Sequence, residues 1–275
     1  MRVLIDGLPA DPATASVSVF DWGVVRGDGC FEALRSYDGV AFAVDSHLDR
    51  LWNSASVLGM DAMLPERDLL ASWIADIAAQ GGDCVVRVIA TRGGSDEQVS
   101  APPRLIVFWE ELPDPPHALT LAEVSAPWHS GGFPWALAGV KGLSYGPNMA
   151  SVRMARAAGF DNAVLVSREG ILLEGPTHSV AWAVDGAMET PSLDLGILAS
   201  ITRTETLAAA ADLGIEVTEG RFPTSRLDRA QEFFILSTVN EVMPVVRVGE
   251  RRFERGPVAA ALREGFLRRV RAQTS

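Results

Sequence analysis

The chain has very little lysine and cysteine, and it lacks an excess of positive charge. Of its 275 residues only Lys141 is a lysine, and only Cys30 and Cys84 are cysteines. Two cysteines are too few for a disulfide framework, and neither has metal-ligand spacing to a histidine, so we expect a reducing compartment and no metal. A net charge of −11 argues against a duplex-binding surface, which needs a basic face, so we expect no nucleic-acid partner.

Long apolar runs are also missing. No stretch reaches the roughly 18 apolar residues of a membrane-spanning helix, and the first residues lack an apolar core of signal-peptide length. We therefore expect a cytoplasmic protein without a membrane partner. The hydrophobic content of 48% and the charged content of 21% are ordinary for a globular protein. This length allows one large domain or two small ones.

Short apolar runs alternate with helical patterns, which predicts an α/β (α+β) fold. We predict strands at residues 3–5, 31–35, 40–43, 85–91, 105–109, 119–124, 163–166, 171–173, 180–184, 233–237 and 245–248. We predict helices at residues 45–58, 66–79, 147–158, 202–213 and 258–270. Asp45 is the expected cap of the first helix, and Thr202 with Glu205 has the form of a capping box.

A proline-rich segment divides the chain. Residues 112–117 contain three prolines, which suppress both helix and central strand. We predict a smaller N-terminal domain over residues 1–114, a connection over residues 115–124 and a larger domain over residues 125–275.

An amine and a carboxylate follow the predicted connection. Lys141 stands among small and apolar residues, which favour a nucleophilic amine, although an isolated lysine is commonly a surface residue in a loop. Because the chain has no other lysine, only the Lys141 side chain can form a Schiff base. Glu174 follows the apolar run 171–173 and faces a turn, so it can hold a ring nitrogen protonated; the alternative is a solvated turn glutamate.

Two turns can hold an anion. Ser200, Ile201 and Thr202 precede a helix, where amides and the helix dipole favour a phosphate, although an ordinary helix cap has the same pattern. Ser237 and Thr238, at a strand end, can add hydroxyl and amide donors. A phosphorylated aldehyde needs an amine, a carboxylate and such turns together, which indicates pyridoxal 5'-phosphate as the cofactor.

Three earlier motifs extend this series: Asp21-Trp22-Gly23, the string from Gly27 to Glu32, and the string from His47 to Leu51. In order and spacing the whole set resembles the class IV, fold-type IV pyridoxal-phosphate enzymes, and the likeness covers nearly the whole chain. The resemblance implies two domains with the cofactor at their interface, and a barrel-like C-terminal domain. It also implies a homodimer whose partner completes the substrate pocket.

The resemblance implies an aminotransferase that uses a Schiff base at Lys141. Its substrates would be an amino acid, of the D-amino acid or branched-chain type, and a 2-keto acid. Arg50 would then add positive charge for the phosphate, and Tyr145 would donate to the phenolate oxygen of the cofactor.

Two other functions stay open. One is aminodeoxychorismate lyase, which releases pyruvate and 4-aminobenzoate for folate synthesis; such lyases also carry the string Gly27-Asp28-Gly29-Cys30-Phe31. The other is a non-catalytic relative that binds pyridoxal phosphate. Ser179 and Ser200 motivate it, because relatives usually have asparagine and glycine there.

The substrate-binding candidates are Arg26, Phe31 and Arg92. Either arginine can bind a carboxylate with two parallel hydrogen bonds, and either can instead form a structural ion pair. Phe31 lies where relatives carry an aromatic residue near the cofactor, but it can equally belong to a strand core. Residues 93–98 lack the further arginine or histidine that D-alanine-type aminotransferases and the lyases often use, which leaves the substrate open.

Overall fold

The structure is a computed structural model that describes residues 3–95 and 100–274. The chain forms two compact units. The first unit comprises Met1–Pro113, Val140–Tyr145 and Gln273–Ser275, and the second comprises Asp114–Gly139 and Gly146–Ala272. Within the described ranges, no helix is long and apolar enough to cross a membrane.

Strands and helices alternate along the chain. The strands of the described residues are β1 (Val3–Ile5), β2 (Leu8–Ala10), β3 (Gly29–Tyr37), β4 (Val40–Ala41), β5 (Cys84–Thr91), β6 (Gly94–Ser95), β7 (Ser100–Ala101), β8 (Arg104–Glu111), β9 (Leu119–Ser125), β10 (Asn162–Val166), β11 (Ser179–Val184), β12 (Ala187–Pro191), β13 (Val217–Gly220), β14 (Glu232–Ser237), β15 (Glu241–Val248) and β16 (Arg251–Arg252). The α-helices are α1 (Trp22–Arg26), α2 (Val44–Val57), α3 (Arg67–Gly81), α4 (Gly146–Ala157), α5 (Ile201–Leu213) and α6 (Pro257–Thr274). The α/β fold class predicted from the sequence is confirmed.

The first unit is built on an antiparallel sheet with the strand order β2-β1-β8-β5-β3-β4. The hairpin between β3 and β4 turns at Asp38 and Gly39, both of which have positive φ, as a two-residue hairpin turn requires. Helices α2 and α3 pack on this sheet. Leu51 and Ile74 from the helices are fully buried together with Leu34 from β3, in one apolar core.

The second unit has a mixed sheet with the order β10-β9-β15-β14-β11-β12-β13, and β16 pairs with β15. Residues beyond β10 link its two edges. Leu173 N–H donates to Leu165 O of β10, and Leu172 N–H donates to Phe222 O, two residues after β13. The sheet is thereby closed into a barrel-like ring. Trp182 stacks on Phe233 in the buried core, with 6.1 Å between ring centroids.

Two predicted helix caps are wrong. Helix α2 begins after Ala43, whose backbone is left-handed and makes no side-chain cap, so Asp45 lies in the first turn. Helix α5 begins one residue before the predicted capping box, because the Ser200 hydroxyl accepts the Arg203 N–H at 3.3 Å. Glu205 instead accepts from Arg269 Nε at 2.6 Å, a partner far away in sequence.

The segment around Lys141 groups differently from the predicted division. Val140–Tyr145 belong to the first unit, because Cys30 and Gly142 form an antiparallel bridge along the edge of β3. The predicted connection over residues 115–124 contains β9, which pairs with β10 and β15 inside the second sheet. The chain therefore enters the second unit, returns to the first for six residues, and leaves again.

Candidate active site

The backbone of Lys141 is fixed on two sides within the first unit. Phe31 N–H donates to Lys141 O at 3.0 Å, and Leu143 N–H donates to Gly29 O at 2.9 Å. Lys141 N–H donates to the Ser54 hydroxyl on α2 at 3.2 Å. Because these bonds hold the segment against both strand and helix, the direction of the lysine side chain is set by the fold.

The Lys141 amine lies against two aromatic rings. Its Nζ atom is 4.4 Å from the Phe31 ring centroid and 5.7 Å from the Tyr145 ring centroid. The two rings meet edge to face, with centroids 5.1 Å apart. The two distances from Nζ to the ring centroids are within the range of cation–π contact. The structure thus brings together three of the residues that the sequence singled out.

Arg50 is also part of the first unit, and its guanidinium forks onto a buried carboxylate. Arg50 Nε and Nη2 each donate to one oxygen of Glu32 at 2.7 Å, and His47 Nδ1 lies 2.7 Å from Glu32 Oε2. Burial alone would raise the pKa of Glu32, but the hydrogen bonds and charge of Arg50, with help from His47, lower that pKa to about 2. Glu32 is therefore an anion that fixes the orientation of Arg50.

The roles of Glu32 and His47 were not predicted from the sequence. Burial lowers the pKa of His47 despite its bond to Glu32, so Arg50 supplies the positive charge of the cluster. A signal was present in the sequence. A glutamate interrupts an apolar strand, and a histidine and an arginine three positions apart share one face of the next helix.

The two candidate substrate arginines differ. Arg92 Nε donates to Asp28 Oδ2 at 2.6 Å, and its Nη2 donates to the Leu58 carbonyl, which is the structural ion pair that the sequence left as the alternative. Arg26 is exposed at the end of α1, with its guanidinium carbon 4.8 Å from the Trp22 ring centroid. Residues 96–98, at the end of the stretch that lacks a further arginine or histidine, lie outside the described residues.

In the second unit, Glu174 is held from three directions. Its Oε2 accepts the Leu198 N–H at 3.2 Å, its Oε1 lies 3.5 Å from His129 Nε2, and its backbone carbonyl accepts the Leu165 N–H at 2.8 Å. The side chain is only 15% exposed. This carboxylate is therefore neither mobile nor fully solvated, unlike the turn glutamate of the alternative interpretation.

The predicted anion-binding turns lie in the second unit as well. The Ser200 hydroxyl accepts the Arg203 N–H. The amide N–H groups of Ile201 and Thr202, in the first turn, point out of the N-terminal end of α5. Ser237 ends β14, and its hydroxyl accepts the Asn240 N–H at 3.1 Å in the turn that leads to β15. Thr238 lies in the same turn.

Two buried polar atoms lie close in sequence to Glu174. His178 Nε2 and Ser179 Oγ have no hydrogen-bond partner within the part of the chain that the structure describes. The His178 ring packs against Gly175, where a Cβ atom would approach Nε2 to 1.9 Å. Burial lowers the pKa of His178 to about 4, although a hydrogen bond to the backbone of Ala163 acts against it. His178 is therefore neutral at pH 7.

The donor types fit a phosphorylated aldehyde. Lys141 is the single side-chain amine, Glu174 is a fixed carboxylate, and α5 presents amides at its N-terminus. Among residues 3–95 and 100–274, no cluster of three or more histidine, cysteine or acidic side chains is placed to hold a metal.

The chain matches the amino-transferase class IV family over residues 29–248. It is 31% identical to a putative branched-chain-amino-acid aminotransferase from Methanocaldococcus jannaschii, over 97% of this chain and 95% of that protein. It is 29% identical to a bifunctional aminodeoxychorismate lyase and D-amino acid transaminase from Mycobacterium tuberculosis, over 96% of each chain.

Solved structures give the same likeness. A fold IV transaminase from Curtobacterium pusillum superposes with a TM-score of 0.87 at 29% identity, over 96% of this chain and 92% of that chain. A hypothetical aminotransferase from Mycobacterium tuberculosis in a PLP-bound form superposes with a TM-score of 0.88 at 26% identity, over 99% of each chain.

Proposed function

The chain belongs to the class IV aminotransferase family, and from this membership we propose that it transfers an amino group from an amino acid to a 2-keto acid. Enzymes of this family use pyridoxal phosphate. The observation that carries the proposal is the only lysine of the chain, which is held by backbone hydrogen bonds and lies against two aromatic rings.

We assign the covalent and proton-transfer chemistry to Lys141. When bound, pyridoxal phosphate supplies a ring that accepts electrons from the substrate α-carbon. Lys141 Nζ would hold the cofactor covalently, and its freed amine would accept and return the proton of the substrate α-carbon. Phe31 and Tyr145 hold the amine in place, and Tyr145 also provides a hydroxyl for the phenolate oxygen of the cofactor.

The remaining cofactor contacts follow from the donor types. Glu174 would accept a hydrogen bond from the protonated ring nitrogen of the cofactor, because its carboxylate is fixed and largely buried. The amides of Ile201 and Thr202, with Ser200 as the cap, bind the phosphate, and Ser237 and Thr238 add donors. Arg50 provides the positive charge for the same phosphate, with its guanidinium oriented by Glu32.

For the substrate carboxylate we propose Arg26 rather than Arg92. The Arg92 guanidinium already binds Asp28 and the Leu58 carbonyl, whereas Arg26 is exposed and makes a ring contact with Trp22. Replacing Arg26 by glutamine should raise KM for the amino substrate more than it lowers kcat. An unchanged KM would remove Arg26 from the site.

A second candidate function is aminodeoxychorismate lyase. One relative, 29% identical over 96% of this chain, carries both lyase and D-amino acid transaminase activities. The two reactions use the same amine and carboxylate, so the substrate decides between them. Release of 4-aminobenzoate from aminodeoxychorismate, measured by its fluorescence, would establish the lyase reaction.

We also propose that the protein is a homodimer. Four large apolar side chains, Val19, Phe20, Val24 and Val25, are 53–70% exposed within seven residues of the first unit. Such a patch is unusual on the surface of a monomer and suits a partner of the same kind. Light scattering should give twice the chain mass of 29.4 kDa, and Phe20→Glu should shift the protein towards the monomer.

The chain offers a sharp test of the lysine. The protein is incubated with pyridoxal phosphate, reduced with borohydride and digested, and the added mass is located by mass spectrometry. Because the chain contains one lysine, the label should appear on the peptide of residue 141, with the amino terminus as the single other primary amine. Lys141→Arg keeps the charge and should lose both the label and the visible absorbance band.

Substrate titration then separates the functions. D-alanine, L-leucine and aminodeoxychorismate are added in turn to the cofactor-loaded protein. A band change with either amino acid, together with the matching keto product, supports the transaminase. A band that forms but responds to none of the three supports the non-catalytic alternative, and no band in the unaltered protein contradicts the assignment of Lys141.

A further inference from the structure

His129 lies beside the carboxylate assigned to the cofactor ring nitrogen. Its Nε2 atom is 3.5 Å from Glu174 Oε1, and the two side chains are 12% and 15% exposed. Both residues belong to the second unit. No local pattern pairs them, because the histidine lies in a loop 45 positions before the glutamate.

The backbone determines which imidazole nitrogen carries the proton. Gly131 N–H donates to His129 Nδ1 at 3.2 Å, so Nδ1 acts as an acceptor. A neutral imidazole with an accepting Nδ1 carries its proton on Nε2. The N–H group of His129 therefore faces Glu174.

The loop that carries His129 is attached to the segment that holds the other carboxylate oxygen. The Ser130 hydroxyl donates to Leu195 O at 3.2 Å, while Leu198 N–H donates to Glu174 Oε2 at 3.2 Å. Gly196 has positive φ and lies so close to the loop that a Cβ atom would be 2.3 Å from Ser130 Oγ. One short segment thus fixes both the histidine loop and the backbone donor.

We propose that His129 is a positioning residue for Glu174. Its Nε2 atom restrains Oε1 through a polar contact at 3.5 Å, while the Leu198 N–H holds Oε2 by a hydrogen bond, so the carboxylate is kept in the orientation that meets the ring nitrogen. This inference rests on the proposed role of Glu174. It adds a residue that acts on the cofactor through Glu174, without touching the reacting atoms.

Two amide side chains separate the two nitrogens of His129. His129→Asn places an oxygen near the Nδ1 position, so it can still accept from Gly131, but it does not reach Glu174. His129→Gln places an amide near the Nε2 position and can donate to Glu174. His117→Gln is the matched control, because His117 is an exposed histidine.

The measurements are the dissociation constant for pyridoxal phosphate and the position of the visible band of the bound cofactor, with the urea midpoint of the cofactor-free protein as a check on folding. We expect His129→Asn to bind the cofactor about threefold to fivefold more weakly, the scale of one weak polar contact, and to shift the band. His129→Gln should stay closer to the unaltered protein than His129→Asn does, and His117→Gln should change neither quantity. If His129→Asn lowers the urea midpoint, His129→Gln is compared with the unaltered protein instead, at equal folded fraction. A shifted visible band in His129→Gln then overturns the proposal.

The same variants are made in a Glu174→Gln background. If His129 acts through Glu174, His129→Asn should have little further effect there, because the coupling partner is gone. A full effect in that background, or no effect of His129→Asn alone, overturns the inference while the proposed function stands. If the unaltered protein binds no cofactor, the proposed function fails and this inference fails with it.

Discussion

At the scale of single residues, the buried Glu32 is the most consequential side chain of the first unit. It carries a negative charge at 1% exposure and is stabilised by Arg50 and His47. Arg50 depends on it strongly, because this carboxylate accepts two charge-assisted hydrogen bonds from a guanidinium that is only 10% exposed.

Replacing Glu32 by glutamine should therefore be costly. We expect the free energy of unfolding of the cofactor-free protein to fall by about 3 kcal/mol, because the change removes the charge of a buried carboxylate that accepts two hydrogen bonds from Arg50. Urea denaturation checks this. The matched control is Glu110→Gln, which removes the half-exposed partner of Arg87 in the same sheet and should cost less than about 1 kcal/mol. Equal losses in the two variants would contradict the role of burial.

His178 predicts an acid-sensitive second unit. Its pKa is about 4 in the folded protein and 6.5 when unfolded, so between these values the unfolded chain binds a proton that the folded chain does not. Above pH 6.5 His178 does not lower the free energy of unfolding. As the pH drops from 6.5 towards 4, the free energy of unfolding falls by about 3 kcal/mol in total. His178→Gln should lose this part of the pH dependence in urea titrations, and His117→Gln should retain it. Identical pH profiles for all three proteins would contradict the assignment.

At the scale of elements, β3 and the Lys141 segment fit together through a glycine. A Cβ atom at Gly29 would lie 2.4 Å from Ala90 O on β5 and 2.6 Å from Leu143 Cδ1. A side chain at position 29 would therefore have to displace both the Ala90 carbonyl of β5 and the Leu143 side chain, which belongs to the segment that carries Lys141.

Gly29→Ala should affect both stability and cofactor binding. We expect a loss of about 1–3 kcal/mol in the free energy of unfolding, as for an overpacked core, and weaker pyridoxal-phosphate binding in an absorbance titration. Gly146→Ala is the control, because no atom lies within 4 Å of a Cβ there and its φ is not positive. The idea fails if Gly29→Ala binds the cofactor as tightly as the control does.

Most elements could be predicted from periodicity, and the failures have physical causes. Strand β13 carries the exposed residues Thr218 and Glu219 and gives no apolar alternation. Helix α1 has five residues, too few for a helical period to be visible. Ile171 and Leu172 form isolated bridges in place of the predicted strand, because they link two sheet edges rather than pair along one. Local patterns cannot specify such long-range closure.

At the scale of the whole molecule, the site residues divide into those with a local signature and those without. Lys141 is unique by composition, and Ser200 precedes a recognisable helix, so both could be found in the sequence. His129 could not, because its partner Glu174 is 45 residues away and only the closed second sheet brings them together. Val140–Tyr145 likewise belong to the first unit through pairing with β3, and no local sequence pattern predicts that pairing.

The two cysteines can report on the first unit of the intact protein. Cys30 on β3 and Cys84 on β5 are fully buried in adjacent strands of one core. Burial, with the nearby charge of Glu32, raises the pKa of Cys30 to about 12, although Arg92 acts in the opposite direction. Burial also raises the pKa of Cys84, although the hydrogen bond with Ser36 opposes it. Neither thiol should therefore react without opening of the sheet.

We expect a thiol reagent at pH 8 to label the folded protein at least about 1,000-fold more slowly than the urea-unfolded chain, because labelling must follow the small open population. Cys30→Ala and Cys84→Ala leave one thiol each and report on the two strands separately. Similar rates would mean that β3 and β5 open together as one cooperative unit. Rapid labelling of either thiol in the folded protein would contradict the burial of its strand. For Cys30 it would also mean that the Lys141 segment, which pairs with Cys30 through Gly142, lies on a strand that opens easily.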